Sequence, residues 1–282
     1  MRLVVSSRQS VFFVSDAHFG SGADTETRAR MLVDLLRGFR ERAARVYILG
    51  DLFDFWFEYR HAIPKGHFPV LRAIAELVEA GIPVHYLGGN HDFWCGSYLT
   101  REVGVEAHAQ PIDEEIQGRR MHMAHGDGLD PADRGYRRLK ALLRNRVAIA
   151  LYRSIHPDIG IPFAHRVSSV SRRHTQSRRF YLERMARHLA IPRFREGRDA
   201  IVVGHVHDPM HLRDRWGRDL LVLGDWLENF TYGHLTEGRF TLEKYRAGNA
   251  PEVLDAQAWP TDLEEELPPS GKIASAASNP LD

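Results

Sequence analysis

Cysteine is nearly absent: Cys95 is the only one in 282 residues, so no disulfide can form within the chain. That excludes a disulfide-stapled scaffold and fits a reducing compartment. A membrane-spanning run is missing as well, since no apolar stretch approaches the roughly 20 residues that a crossing helix needs. Neither sign of charge is in excess: 38 Lys and Arg oppose 37 Asp and Glu, for a net charge of +1. The chain as a whole is therefore not drawn to nucleic acid or to an anionic bilayer. Its first residues, MRLVVSSRQSVFFVSD, run from VFFV directly into Asp16 with no small-residue cleavage site. We read them as leading into the first strand of a cytoplasmic protein.

What is present is ordinary globular composition, 43% hydrophobic and 27% charged, together with 16 histidines. That count is high for the length, and the placement of the histidines carries the information. The first half alternates between strand and helix patterns. SVFFVSD (10–16), RVYILGD (45–51) and IPVHYLGGN (82–90) read as strands. TRARMLVDLLRGFRERA (27–43) and FPVLRAIAELVEAG (68–81) have helical periodicity between them. Such alternation predicts β-α-β units, an α/β class and a largely buried sheet. A hairpin over 114–127 and strands over 199–208, 219–226 and 238–245 complete a mostly β second half. The tail after residue 259 is rich in Pro, Ser, Ala and Glu, which predicts disorder over 260–282.

Residues 129–198 differ from the rest. They read as helices without strands and hold 17 Lys and Arg against five Asp and Glu, so the remainder of the chain is net acidic. A basic helical insertion in an α/β scaffold fits a cap over an anionic site.

Each strand-like run ends in polar side chains: Asp16 and His18, Asp51 and Asp54, Asn90 with His91 and Asp92, His125 and Asp127, His205 and His207. Ligand sites in open α/β sheets form beyond the carboxyl ends of strands, so the five clusters can converge. On an extended backbone, D-x-H and H-x-H put both side chains on one side, within reach of one ion. Gly50, Gly89 and Gly204 precede ligand positions and Gly126 follows one, permitting sharp turns. A lone His or Asp at a strand end is usually a turn residue. Five such clusters in one chain favour a metal centre. Oxygen and imidazole donors without thiolate favour Mn²⁺, Fe²⁺, Zn²⁺ or Co²⁺. Seven ligands exceed the needs of one ion and suit two sharing a carboxylate, an arrangement that clamps phosphoryl oxygens.

The succession DAHFG, GDLFDFW, GGNHDFW, HGDG and GHVH over residues 16–207 resembles the calcineurin-like metallophosphoesterase superfamily. The resemblance implies a four-layer αββα sandwich, here with a helical cap, and a two-metal site. By matching motif positions, Asp16, His18, Asp51 and His207 would hold one ion. Asp51 would bridge to a second held by Asn90, His125 and His205, and water activated by the ions would attack phosphorus. Two divalent ions are implied, Mn²⁺ being the expected one.

Within that superfamily the chain is most similar to the UDP-2,3-diacylglucosamine diphosphatases of lipid A biosynthesis. The flanks of YILGDLFDFW and GNHDFW, the pattern HGDGLDPADRGYRRLK with Asp133 and Tyr136, and LVLGDWLENFTYG carry this likeness. It implies hydrolysis of the pyrophosphate of a UDP-linked acylated sugar to UMP and 2,3-diacylglucosamine 1-phosphate. The basic cluster Arg172, Arg173, Arg178 and Arg179 suits such an anion. Leu142, Ile149, Leu151, Ile155, Ile161 and Phe163 are candidates for an acyl groove, though helix packing also accounts for them. A basic cap could lean on an anionic inner-membrane surface. His91 departs from that branch, whose better-known members carry arginine there, and agrees with general phosphodiesterases. We expect His91 beside the transferred phosphoryl group and not among the ligands, and Asp92 either orienting it or capping a helix. A phosphodiesterase of cyclic nucleotides or nucleic acid ends is the alternative. A non-catalytic nucleic-acid-binding module is a third reading, disfavoured by the intact ligand set and the lack of a base-reading motif. No stable nucleic acid partner is expected.

Overall fold

In β1 (Ser10–Val14), Val11 and Phe13 join one apolar cluster while Phe12 and Val14 join another, and all four are buried. Successive side chains of a strand point to opposite faces, so a strand without polar positions must be covered on both. β2 (Ala43–Leu49) divides in the same way, Tyr47 and Leu49 to one side and Val46 and Ile48 to the other. The computed structural model describes residues 9–20, 24–128, 134–171 and 178–269.

Two sheets follow from this double burial. The remaining strands are β3 (Val84–Leu87), β4 (Glu106–His108), β5 (Ile112–Ile116), β6 (Arg119–Ala124), β7 (Ala200–Val203), β8 (Met210–Arg213), β9 (Asp219–Val222), β10 (Thr231–Thr236), β11 (Arg239–Lys244), β12 (Glu252–Leu254) and β13 (Gln257–Ala258). The first sheet runs β12-β11-β10-β1-β2-β3-β4, with β1 to β4 parallel. The second runs β13-β8-β9-β7-β6-β5, with β6, β7 and β9 parallel. The sheets pack face to face through Phe13, Tyr47 and Leu49 from one and Met121, Met123, Val202 and Leu221 from the other.

Helices α1 (Thr25–Phe39) and α2 (Phe68–Glu79) cover the outer face of the first sheet with Leu32, Leu36, Phe39, Val70, Ile74 and Leu77. The cap follows β6 as α3 (Arg134–Leu143), α4 (Arg146–Arg153) and α5 (Pro157–Ser171). The outer face of the second sheet is covered by α6 (Arg178–Met185), a π-helical turn over Ala186–Ala190 and α7 (Ile191–Arg195). Helix, sheet, sheet and helix make the four-layer αββα sandwich that the motifs implied.

Two boundaries differ from expectation. The basic insertion is not one structural unit over its whole length. From Leu182 onward its apolar residues Met185, Leu189 and Phe194 pack against Ile201 and Val203, forming the fourth layer. The tail does not become irregular at 260 either: α8 (Thr261–Glu264) buries Leu263, and Leu267 is buried behind it. Arg218 reaches the Pro268 carbonyl at 2.7 Å. Leu263 and Leu267, with ion pairs such as Arg187–Glu266, dock a segment whose composition reads as disordered. Residues 270–282 lie outside the described residues. No described helix is long and apolar enough to cross a membrane.

Candidate metal centre

The loops after β1 and β2 lie side by side, with amides of Asp16 and His18 donating to the carbonyls of Gly50 (3.1 Å) and Asp51 (2.9 Å). Asp16, His18, Asp51 and His205 all have positive φ, between 46° and 65°. Non-glycine residues rarely adopt that region, and the cost is borne where the surroundings over-determine the backbone. This also corrects the spacing argument. Asp16 and His18 still share one group, but His205 and His207 do not, so H-x-H need not serve one ion. His205 faces Asp51 and His125, whereas His207 faces Asp16 and His18. At Gly50 a Cβ would come 2.6 Å from His125 Nδ1 and 2.7 Å from Gly89, so only hydrogen fits between the loops.

The seven predicted ligands meet at one place in overlapping groups. Asp16, His18 and His207 form one group and Asp51, His125 and His205 another, with the donor atoms of each within 4.8 Å of one another. Asp51 links them: its Oδ2 is 3.7 Å from His18 Nε2 and 3.4 Å from His125 Nε2. His207 Nε2 stands 3.7 Å from Asp16 Oδ1.

The hydrogen-bond pattern calls for cations. His125 Nδ1 lies 2.8 Å from the Leu49 carbonyl, which only accepts, so Nδ1 carries the ring hydrogen. The other nitrogen, Nε2, then presents a lone pair toward Asp51 Oδ2 and toward Asn90 Oδ1 at 3.1 Å. Three acceptors aimed at one point are reconciled by a metal ion or by an added proton. Burial alone would lower His125, but the Asp51 charge outweighs it and pushes the ring well above its ordinary value. A proton there stands in for a cation. Burial also opposes charge on His18, yet Asp16 and Asp54 push it up to about 10. Asp51, which burial would raise, is held well below the carboxylate range by His125, His91 and His18. Asp16 Oδ1 and both ring nitrogens of His18 are buried without a hydrogen-bond partner. Each orphan of this kind costs about 1–3 kcal/mol unless something binds it. The residues present therefore fit divalent metal ions.

Outer residues orient these ligands, as metal-bound imidazoles commonly require. His207 Nδ1 faces Asp225 Oδ2 at 3.4 Å. Asp225 Oδ1 in turn accepts from the amides of Leu227, Glu228 and Asn229. Asp92 neither orients His91 nor caps a helix. Its two oxygens accept from the amides of Asp51, Leu52, Phe53 and Gly89 and from the Tyr86 hydroxyl, pinning the β2 and β3 loops together. Asp54, 1% exposed, faces His18 Nδ1 at 3.7 Å and bonds His165 Nδ1 of the cap at 2.9 Å. On the other flank Asp127, held down to about 2 by His125 and Lys140 against the effect of burial, pairs with Lys140 of α3 at 2.5 Å.

His91 stands closer to the ligands than expected. Its Nδ1 donates to the Asp54 carbonyl (2.9 Å), its amide donates to Asp51 Oδ1 (2.8 Å), and its Nε2 lies 3.9 Å from Asp51 Oδ2. It forms a group of metal-ligand spacing with His18 and Asp51. Of the predicted substrate contacts, Asp133, Arg172 and Arg173 lie outside the described residues. Tyr136 is on α3, and Arg178 and Arg179 open α6. Sequence reasoning missed His165, 111 residues from its partner, and passed over Asp225 within LVLGDW as a ligand-orienting group.

A family model described as calcineurin-like phosphoesterase matches residues 10–209. A UDP-2,3-diacylglucosamine hydrolase of Porphyromonas gingivalis is 34% identical over 80% of this chain and 93% of that protein. Proteins of the same name from Nitrosococcus oceani and Pseudomonas savastanoi are 29% and 27% identical. They cover 77% and 83% of this chain, and 87% and 95% of their own lengths.

Proposed function

The chain belongs to the calcineurin-like phosphoesterase family and is a hydrolase, and from that premise we propose that it cleaves the pyrophosphate of UDP-2,3-diacylglucosamine to UMP and 2,3-diacylglucosamine 1-phosphate. The observation that carries the chemistry is the convergence of the His125 Nε2 lone pair with Asp51 Oδ2 and Asn90 Oδ1. In this reading Asp16, His18, Asp51 and His207 hold one Mn²⁺, and Asp51, Asn90, His125 and His205 hold a second. When bound, the pair supplies Lewis acidity to the phosphoryl oxygens and an acidified water as nucleophile. Asp92 and Asp225 fix the ligand geometry, so little reorganisation is needed as charge develops.

His91 has its tautomer set by the Asp54 carbonyl and its amide tied to Asp51, which supports a place for its Nε2 beside the transferred phosphoryl group. The leaving group here is a phosphate monoester with a second pKa of about 6, so it departs without taking a proton. His91 then serves by stabilising charge. A diester would instead expel an alkoxide and need a proton donor. We expect His91→Arg to retain substantial pyrophosphatase activity and to lose activity on diesters.

The cap supports an amphiphilic anionic substrate. A cavity of about 640 Å³ runs along the Gly88–Gly96 loop, lined by Phe57, Phe93, Trp94 and Ile149 with Arg144 and Arg153. Leu142, Leu151 and Phe163 are more than 60% exposed and Ile155 is 39% exposed, although all are apolar. An exposed apolar and basic surface also suits peripheral contact with an anionic inner-membrane leaflet from the cytoplasmic side. Flotation with anionic vesicles tests that contact, and complete retention in the unbound fraction would rule it out. Comparing Mn²⁺-dependent turnover of UDP-2,3-diacylglucosamine and bis(p-nitrophenyl) phosphate tests the main reading. We expect UMP release from the first; strong turnover of the diester alone would replace it with the phosphodiesterase reading.

A further inference from the structure

A second cluster of imidazole and carboxylate lies apart from the centre described above. β3 and β4 are parallel neighbours at the edge of the first sheet, with His85 opposite Glu106 and Leu87 opposite His108. Glu106 and His108 are two residues apart and so share one face of β4 with His85 across the ladder. His85 Nδ1 is 3.0 Å from His108 Nε2 and 3.4 Å from Glu106 Oε2. The three donor atoms lie within 4.8 Å of one another, a spacing shared with the ligand groups of the main centre.

We propose that His85, Glu106 and His108 form a third, separate site for one divalent transition-metal ion of the imidazole-binding class, Zn²⁺ above all. Two histidines and one carboxylate are a donor set that suits zinc, with water completing a tetrahedron. Zinc–nitrogen bonds of about 2.0–2.1 Å at the tetrahedral angle put two ligating nitrogens about 3.3 Å apart. The 3.0 Å His85–His108 separation therefore needs to open by only a few tenths of an ångström. His85 is 7% exposed and its ring is stacked on Tyr47 at 4.6 Å, so its orientation is fixed before any ion arrives. Burial pulls His85 below its ordinary value, which keeps the ring neutral as a ligand must be. Glu106 is largely exposed and gives ions access from solvent.

One feature limits the affinity. His85 Nε2 is buried without a hydrogen-bond partner, so the proton it carries when Nδ1 binds metal is unpaired. Ligating histidines elsewhere usually donate that proton, and its loss typically weakens binding by 10- to 100-fold. The site is thus weaker than a fully supported one and is filled after the main centre. Its place in the fold gives it a consequence. His108, with Ala107, Ala109 and Gln110, also lines the 640 Å³ cavity, so an ion here ties that wall of the cavity to β3.

The competing account is a plain His85–His108 hydrogen bond with no ion. Chelator-stripped protein is dialysed against Zn²⁺ and its metal content per chain measured. We expect three ions in the wild type and two in both His108→Ala and Glu106→Gln, with unchanged far-ultraviolet circular dichroism. Glu106 is exposed enough that its substitution leaves folding intact. Asp51→Asn, made in parallel, is expected to lose ions from the main centre while keeping the one removed by His108→Ala. Equal metal content in the wild type and both edge-strand variants would overturn the proposal.

Discussion

The sandwich and the cap of this molecule solve opposite problems. In the sandwich β1, β2 and β7 bury apolar side chains on both faces, and the candidate metal ligands stand on loops locked by buried hydrogen bonds. In the cap, α4 has no buried residue, and Val147, Leu151, Ile159 and Phe163 are each more than 60% exposed. Among the described residues, ring contacts and polar ties join the cap to the core. Tyr152 packs on Phe57 and Trp94, Trp94 Nε1 donates to the Leu143 carbonyl, His165 bonds Asp54 and Lys140 bonds Asp127. Two of these ties end on acidic residues that flank candidate metal ligands. We propose that the rigid part fixes the chemistry and that the cap, with its exposed apolar side chains, holds the substrate.

That division can be broken most severely at Asp51. Removing the group shared by both ligand sets should forfeit several kcal/mol of charge stabilisation, and each 1.36 kcal/mol is tenfold in rate. We expect Asp51→Asn to lower turnover about a thousandfold, with reduced Mn²⁺ content and an unchanged cap; steady-state kinetics and metal analysis check this. The next largest effect is on stability. Asp92→Ala orphans the amides of Asp51, Leu52, Phe53 and Gly89, each a buried donor. The cost should be at least about 3 kcal/mol, seen as a melting temperature lower by about 6–12 °C in calorimetry.

How much of this contrast could be read in the chain itself depended on the kind of signal. The residues gathered at the candidate centre were legible because each ends an apolar run, as in VFFVSDAH and IVVGHVH, and the helices over 25–39 and 68–79 showed their period. The strands β4, β8, β10, β12 and β13 were not, because they span two to six residues and carry polar or glycine positions, as in EAH and TYGHLT. Asp92 looked like a companion of His91 because it is adjacent, whereas three of its partners, the amides of Asp51, Leu52 and Phe53, lie some 40 residues upstream and depend on tertiary folding. The Asp54–His165 tie joins positions 111 residues apart and leaves no local pattern.

Cutting that tie sharpens the comparison from the cap side. His165→Ala should raise KM for the acylated substrate about tenfold, the equivalent of 1.4 kcal/mol lost from one hydrogen bond to a charged group. kcat on a small diester should hardly change, since it has no acyl chains for the cap to hold. An equal loss on both substrates would show that the cap serves the chemistry directly.

The smallest effect is one of acid on the sandwich. Asp219 is fully buried between His211, Arg213 and Arg119, which hold it below its ordinary value of 3.8 despite burial. A carboxylate with a lowered folded value contributes stability that is complete above the unfolded value and is lost as pH falls through the folded one. Melting temperature should therefore fall as pH drops below about 4. Asp219→Asn should be less stable than wild type at pH 6 and converge with it in acid.

In the proposed centre one carboxylate, Asp51, is shared by two ions. Anomalous scattering from crystals grown with Mn²⁺ tests it most directly. We predict two peaks flanking Asp51, one among Asp16, His18 and His207 and the other among Asn90, His125 and His205. A single peak, or none in contact with Asp51, would contradict the account.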